Sequence, residues 1–174
     1  GIIQNMSSNN TRIKLEIVNL LGLFLPFVTP EAIPTQIIPL IKDWLRDSVF
    51  AVREAVCKAL PTIIKVIHNA EVTNLILDLL VSLIYDPVFL RRQAALLAIF
   101  YLSDILPKDE NTEKILPSVI LMSSDPVPNV RILCAKVLVK LKNCVNQKGI
   151  SQINLSLKLL KKDQDPDVQF FASP

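Results

Sequence analysis

Apolar residues recur three or four positions apart along most of the chain, as they do on the buried face of an α-helix. Two such faces consist of Val52, Val56, Ala59, Ile63 and Ile67, and of Val130, Cys134, Val137, Leu138 and Leu141. The pattern predicts pairs of helices, the first of each pair covering 32–46, 72–85, 112–123 and 150–162. The second covers 50–68, 89–106 and 128–142, preceded by a helix near 11–24. The connections at 107–111 and 143–149 are polar, as expected of exposed loops.

Segments that open on an aspartate repeat along the chain. They begin 39, 39 and 38 residues apart, at Asp47, Asp86, Asp125 and Asp163. Six residues further on, the first three carry Arg53, Arg92 and Arg131, and the fourth carries Gln169. A weaker copy is expected at the start of the chain, where Arg12 stands 41 residues before Arg53.

Prolines keep the same register as the aspartates. Pro39 and Pro117 each stand eight residues before an aspartate. Since a proline inside a helix removes a main-chain hydrogen bond, this placement predicts a bend at one phase of the repeat. The Asp-Pro pairs at 86–87 and 125–126 predict starts of second helices, with the aspartate as N-cap.

A period near 39 with two helices per repeat is typical of HEAT and armadillo arrays. We therefore predict an all-α fold, an α-α superhelix of the HEAT-repeat solenoid type. The predicted single array has partial repeats at 1–29 and 148–174 and complete repeats at about 30–70, 71–108 and 109–147. Solenoids normally need polar capping repeats, and we therefore expect this chain to be a fragment of a longer solenoid or to have its ends covered.

Composition narrows the choice of partner and compartment. The net charge of +3 is small, whereas nucleic-acid binders usually carry a stronger basic excess, so we predict no nucleic-acid partner. The mean hydropathy is high, at +0.41. The best membrane candidate, 17–41, nevertheless contains Glu31 and four prolines, which predicts no membrane span. Cys57, Cys134 and Cys144 show no paired spacing, which is typical of reduced core residues in the cytoplasm, with the nucleus as the alternative.

No motif indicates catalysis or metal binding. The single histidine, His68, follows an apolar helical run and is expected at a helix end. The carboxylates at 163, 165 and 167 lack the glycine and terminal glutamate of a calcium loop. There is no glycine-rich phosphate loop and no zinc-protease motif. We predict a non-enzymatic protein without cofactor or metal.

Three longer segments resemble one family. They are Trp-Leu-Arg-Asp-Ser-Val-Phe-Ala-Val-Arg-Glu-Ala at 44–55, Leu-Pro-Ser-Val-Ile-Leu-Met-Ser-Ser-Asp-Pro-Val-Pro-Asn-Val-Arg at 116–131, and Asp-Gln-Asp-Pro-Asp-Val-Gln-Phe-Phe-Ala at 163–172. In order and spacing they resemble the C-terminal repeats of the HEAT-repeat scaffolding (A) subunit of protein phosphatase 2A and of the related regulatory subunits of protein phosphatase 4. The resemblance runs from about residue 12 to residue 172.

The resemblance implies a scaffold or regulatory subunit of a Ser/Thr protein phosphatase of the 2A/4/6 type. In that family the catalytic subunit rests on a ridge of intra-repeat turns, and further regulatory subunits bind repeats that this chain lacks. Carried over, the partner-binding residues would be Trp44, Arg46, Asp47, Val49, Phe50, Tyr85, Asp86, Pro87, Val88, Phe89, Asp125, Pro126, Val127 and Pro128. Phe50 and Phe89 are expected either as partner anchors or as core residues, and Trp44 favours the core because it shares a face with Ile37 and Ile41.

The aspartate and arginine columns have a structural interpretation as well. We expect Asp47, Asp86, Asp125 and Asp163 to form a ladder with Arg53, Arg92 and Arg131 between adjacent repeats, which would fix the packing register. Three alternatives to the phosphatase scaffold stay open. They are a different HEAT-type adaptor in transport, coats or chromosome organisation, a nucleic-acid-binding solenoid, and an enzyme.

Overall fold

The helices alternate with short turns throughout residues 10–173, the part of the chain that a computed structural model describes, and no strand occurs among these residues. The α-helices are α1 Thr11–Phe24, α2 Ile38–Leu45, α3 Phe50–Ile67, α4 Ala70–Ile84, α5 Phe89–Leu102, α6 Lys108–Glu110, α7 Leu116–Leu121, α8 Pro128–Leu141, α9 Gln147–Leu160 and α10 Pro166–Phe171. The all-α prediction is confirmed. The predicted partial repeat 1–29 begins in residues 1–9, which lie outside the described residues.

Helix positions follow the predicted pattern with two departures, an early end of α5 and an early start of α9 at Gln147, inside the stretch 143–149 that was predicted to be a loop. The bounds of α1, α3 and α8 agree with the predicted ranges to within one residue. The predicted helix 89–106 was too long, because α5 ends at Leu102 and the chain turns at Ser103. There the Ser103 hydroxyl donates to the Phe100 carbonyl at 3.1 Å, and the Ser103 carbonyl accepts from the Asn111 side chain at 2.9 Å.

The bend predicted from the prolines takes the form of a π-helical turn. One such turn covers Ile33–Ile37, and the second covers Asn111–Ile115. Each ends on an N–H bonded to the carbonyl five residues earlier, Ile38 to Ile33 in the first turn. Pro39 or Pro117 follows directly and donates no hydrogen bond, which is a known cause of local departure from α geometry.

The chain divides into two compact units, the first ending at Leu79 and the second beginning at Leu80, a division that falls within α4. In the first unit, α1 and α2 both pack on α3. The side chains at this junction are almost completely buried aliphatic residues, among them Leu21, Ile41, Leu45, Leu60 and Ile63. Burial of such side chains contributes about 1.5–3 kcal/mol each, so α3 organises this unit.

In the second unit, α8 is the central element. It packs against α5, α7, α9 and α10. Its buried face is formed by the side chains of Val130, Cys134, Val137, Leu138 and Leu141, all fully buried and all on the apolar stripe that the sequence predicts.

A polar seam joins the loops of successive repeats in the second unit. The buried side-chain amide of Asn111 donates to the carbonyls of Ser103 and Cys144, at 2.9 and 3.0 Å. Thr112 accepts the Asn146 main-chain N–H at 3.1 Å. Because buried carbonyls without partners are costly, these bonds fix how the two loops meet.

Candidate protein-interaction surface

Each intra-repeat turn closes on the side chain of its leading aspartate. A carboxylate oxygen accepts the main-chain N–H two residues further on, as Asp47 does from Val49 at 2.8 Å and Asp125 from Val127 at 2.9 Å. The predicted role of Asp86 and Asp125 as N-caps was wrong. Their helices begin at Phe89 and Pro128, so the N-cap positions fall on valines, and the aspartate instead shapes the turn that precedes the helix.

The residue six positions after the aspartate braces the same turn. A guanidinium nitrogen donates to the aspartate carbonyl, at 2.7 Å from Arg53, 3.0 Å from Arg92 and 2.8 Å from Arg131. In the fourth copy Gln169 donates to the Asp163 carbonyl at 2.5 Å. The glutamine therefore keeps the hydrogen bond within its own turn, but as a neutral side chain it cannot form an ion pair with a neighbouring repeat.

Bidentate ion pairs link consecutive turns in the second unit. The guanidinium of Arg92 holds the Asp125 carboxylate at 2.6 and 2.9 Å, and that of Arg131 holds the Asp163 carboxylate at 2.7 and 2.9 Å. The hydrogen bond from Arg131 lowers the pKa of Asp163, and the same bond raises the pKa of the guanidinium. These pairs join three successive turns, those at Asp86, Asp125 and Asp163.

The first unit has an equivalent link that the sequence reasoning missed. Lys14 contacts the Asp47 carboxylate at 2.5 Å. Burial raises the pKa of Asp47, but the hydrogen bonds from Lys14 and from the Val49 N–H outweigh that effect and leave the pKa lowered. Lys14 precedes Arg53 by 39 residues, whereas Arg12 does not keep the period. Strict application of the 39-residue spacing to any basic residue would have found it.

Apolar side chains of the predicted ridge are exposed at the turns. In the first unit Phe50 is 59% exposed and Val49 37%. In the second unit Tyr85 is 65% exposed, with Val88 and Phe89 beside it at 39% and 37%. Large apolar side chains at a turn, where polar residues are expected, are typical of binding surfaces.

Other members of the predicted partner-binding set have different surroundings. Trp44 is only 2% exposed and belongs to the core, so its inclusion among partner-contacting residues was wrong. The carboxylates of Asp86 and Asp125 are buried in their turns. The remaining members are exposed or half-buried: Arg46, Asp47, Pro87, Pro126, Val127 and Pro128.

No arrangement suited to metal or nucleophilic chemistry occurs in the described part of the chain. Residues 10–173 contain no group of three or more potential metal ligands. Cys57 forms no disulfide and is buried, and burial raises its pKa to about 12, which makes it a core residue and a poor nucleophile. His68 follows α3 as its left-handed C-cap, the helix-end position expected from the sequence.

The family comparison agrees with these repeats. The model of the HEAT repeat matches residues 37–67 and 115–145. The chain contains HEAT repeats. Each matched segment contains a first helix (α2 or α7), one intra-repeat turn and the whole second helix (α3 or α8), so the turns at Asp47 and Asp125 lie inside matched HEAT repeats. No curated protein matches the chain significantly.

Solved structures show the fold of the HEAT-repeat chain. One engineered protein aligns with a TM-score of 0.58 at 17% sequence identity, over 98% of this chain and 74% of the engineered chain. A second engineered protein aligns with a TM-score of 0.56 at 18% identity, over 98% of this chain and 76% of the engineered chain. A designed armadillo repeat protein gives a TM-score of 0.56 at 16% identity, covering 98% of this chain and 77% of that one. The fold is an all-α HEAT/armadillo-like solenoid, as predicted. No helix among the described residues is long and apolar enough to cross a membrane.

Proposed function

We propose that this HEAT-repeat chain is a non-catalytic scaffold that binds a protein partner through its intra-repeat turns. The observation that carries the proposal is the exposure of large apolar side chains on turns that are internally braced. Phe50 and Tyr85 are more than half exposed, yet each is attached to a turn tied by aspartate and arginine hydrogen bonds. Anchors on rigid supports bind with little ordering cost, which is how aromatic hot spots concentrate binding energy.

The partner we propose is the catalytic subunit of a Ser/Thr protein phosphatase of the 2A/4/6 type. The resemblance of segments 44–55, 116–131 and 163–172 to phosphatase scaffolds supports this choice, and two of these segments contain a proposed contact turn. A different HEAT-type adaptor would share the fold and the braced turns. The two functions differ in the partner that the turns accept.

Binding of purified phosphatase catalytic subunits to the immobilised chain tests the proposal. We expect Phe50→Ala with Tyr85→Ala to weaken binding at least about thirtyfold, because aromatic hot spots contribute about 2 kcal/mol or more. Leu23→Ala with Phe27→Ala is the matched control, since these apolar side chains are 68% and 87% exposed and do not belong to the intra-repeat turns. The control should change affinity less than about twofold.

Two results would separate the parts of the proposal. Failure of all three types of catalytic subunit to bind the folded chain would reject the phosphatase partner and favour another adaptor. Equal losses in the turn variant and the control variant would reject the turns as the binding surface.

A further inference from the structure

One stretch of the second unit carries only positive charge. Residues 132–162 contain seven lysines and no acidic residue. Two of the lysines have partners elsewhere in the unit. Lys140 pairs with Asp104 at 2.8 Å, and Lys136 lies 3.8 Å from the centre of the Phe171 ring.

Three other lysines of this stretch line a single cleft. Lys142 comes from the end of α8, and Lys158 and Lys161 come from the end of α9. The cleft has a volume of about 190 Å³, with Asn154 on its wall and the buried residues Leu157 and Ala172 beneath. Among residues 10–173, no acidic side chain lines it. Like charges around one cleft repel each other, and a bound anion relieves that repulsion.

An apolar row runs beside the lysines on the same helix. Leu155 and Leu159 are each 64% exposed, and each directly follows a residue that lines the cleft, Asn154 or Lys158. Leu155 stands three residues before Lys158 and four before Leu159, the spacings at which side chains are neighbours on a helix, so a ligand that contacts both rows needs negative charge on one side and apolar groups on the adjoining side.

We propose that this cleft binds an acidic amphipathic helix of a partner protein, with a carboxylate among Lys142, Lys158 and Lys161 and apolar side chains on Leu155 and Leu159. Charge complementarity selects an anion, and the adjoining leucines select a polypeptide. A nucleic acid fits less well, because no aromatic side chain lines the cleft for base stacking. The proposal is independent of phosphatase binding, which uses the intra-repeat turns.

Fluorescence anisotropy of a labelled peptide, measured with the whole chain, tests this site. The probe is a helical peptide of about 14 residues, matching the length of α9, with Glu on one face and Leu on the adjoining face. We expect it to bind, and we expect its Glu→Gln version to bind at least about tenfold more weakly. An oligouridine RNA of similar charge serves as the competing ligand class.

Two lysine pairs of the second unit provide matched variants. Lys158→Gln with Lys161→Gln removes two charges from the cleft and should weaken peptide binding at least about tenfold. Lys108→Gln with Lys148→Gln removes two charges from exposed positions that do not line the cleft, and should change binding less than about threefold. Thermal unfolding of both variants should match that of the wild type, because none of these four lysines has an ion-pair partner among residues 10–173.

Three results would overturn the proposal. Equal losses in the two lysine pairs would mean diffuse attraction to a basic surface. Tighter binding of the RNA than of the acidic peptide, with the same dependence on Lys158 and Lys161, would assign the cleft to nucleic acid. No binding of the peptide by the folded wild-type chain would leave the cleft without a ligand of this class.

Discussion

Replacement of Arg131 by glutamine should isolate the energy of one link between repeats. The chain itself contains the precedent, since Gln169 occupies the same phase and still donates to the carbonyl of its own aspartate. In Arg131→Gln the bond to the Asp125 carbonyl can therefore persist, whereas both hydrogen bonds to the Asp163 carboxylate are lost. Arg131→Ala removes these three bonds and the bond to the Pro126 carbonyl at 3.4 Å.

The expected magnitude follows from the burial of the pair. The side chains of Arg131 and Asp163 are only 7% and 11% exposed, so the substitution leaves a carboxylate with little water to compensate it. Loss of one partner from a buried pair costs about 3–5 kcal/mol, and the lower end suits the residual exposure. We expect Arg131→Gln to lower the free energy of unfolding by about 3 kcal/mol, and Arg131→Ala by about 1 kcal/mol more.

Urea unfolding followed by far-UV circular dichroism measures these differences. A double-mutant cycle with Asp163→Asn should give a coupling of about 1.5–2 kcal/mol, since the two residues contact each other directly. A coupling below about 0.3 kcal/mol would show that the ion pair adds nothing to stability and would refute the reasoning. Equal losses in Arg131→Gln and Arg131→Ala would show that the glutamine does not keep the turn bond.

The same pair should give stability a dependence on pH. The pKa of Asp163 is lowered in the folded chain below its ordinary value of 3.8, chiefly by the hydrogen bond from Arg131. Its contribution is therefore complete above that ordinary value and is lost as the pH falls through the folded-state pKa. The stability difference between wild type and Arg131→Gln should shrink below about pH 4, and an unchanged difference there would contradict the assignment.

Three further substitutions or reactions test the packing. Gly149→Ala should lower the free energy of unfolding by about 1–2 kcal/mol in urea, because the new Cβ would lie 2.8 Å from the Val145 Cβ. Gly22→Ala should leave it nearly unchanged in the same assay, because the new Cβ would have one close contact, at 3.1 Å to the Thr62 side chain. Asn111→Ala should lower the free energy of unfolding by about 3 kcal/mol in the same assay, because the Ser103 and Cys144 carbonyls lose their hydrogen-bond donor. A loss below about 1 kcal/mol would mean that water replaces the amide. In a thiol-labelling time course Cys144, which is partly exposed, should react first, and Cys57 only on unfolding.

The repeat and its helices could be predicted because two independent periods agree in this sequence. The helical spacing of apolar residues gave the bounds of α3 and α8, and the aspartate spacing located the turns. The end of α5 could not be predicted in this way, because it depends on hydrogen bonds from Asn111, in the next repeat. The π-turns were foreseen only as bends, since proline spacing shows where a helix is perturbed but not which hydrogen-bond pattern replaces it.

The candidate surface was predictable to a smaller extent. The location of the turns follows from the sequence, but exposure depends on which neighbours cover each side chain. Trp44 shows this, since its place beside Asp47 put it among the partner-binding residues, whereas the face it shares with Ile37 and Ile41 favoured the core, where it lies. The lysine cleft gave no motif at all, because Lys142 and Lys158 come from different helices and meet only in the folded chain.

The two π-turns determine where the chain can tolerate a change in length. A π-turn holds one residue more than the α-helical path it interrupts, so a single deletion within 33–37 or 111–115 can restore α geometry and leave the flanking residues facing as before. The same deletion inside α3 would rotate every later residue of that helix by about 100° and carry its apolar face away from the core. Homologous chains that are shorter by one residue should therefore lack it at one of these two turns, and an engineered deletion would be best placed there.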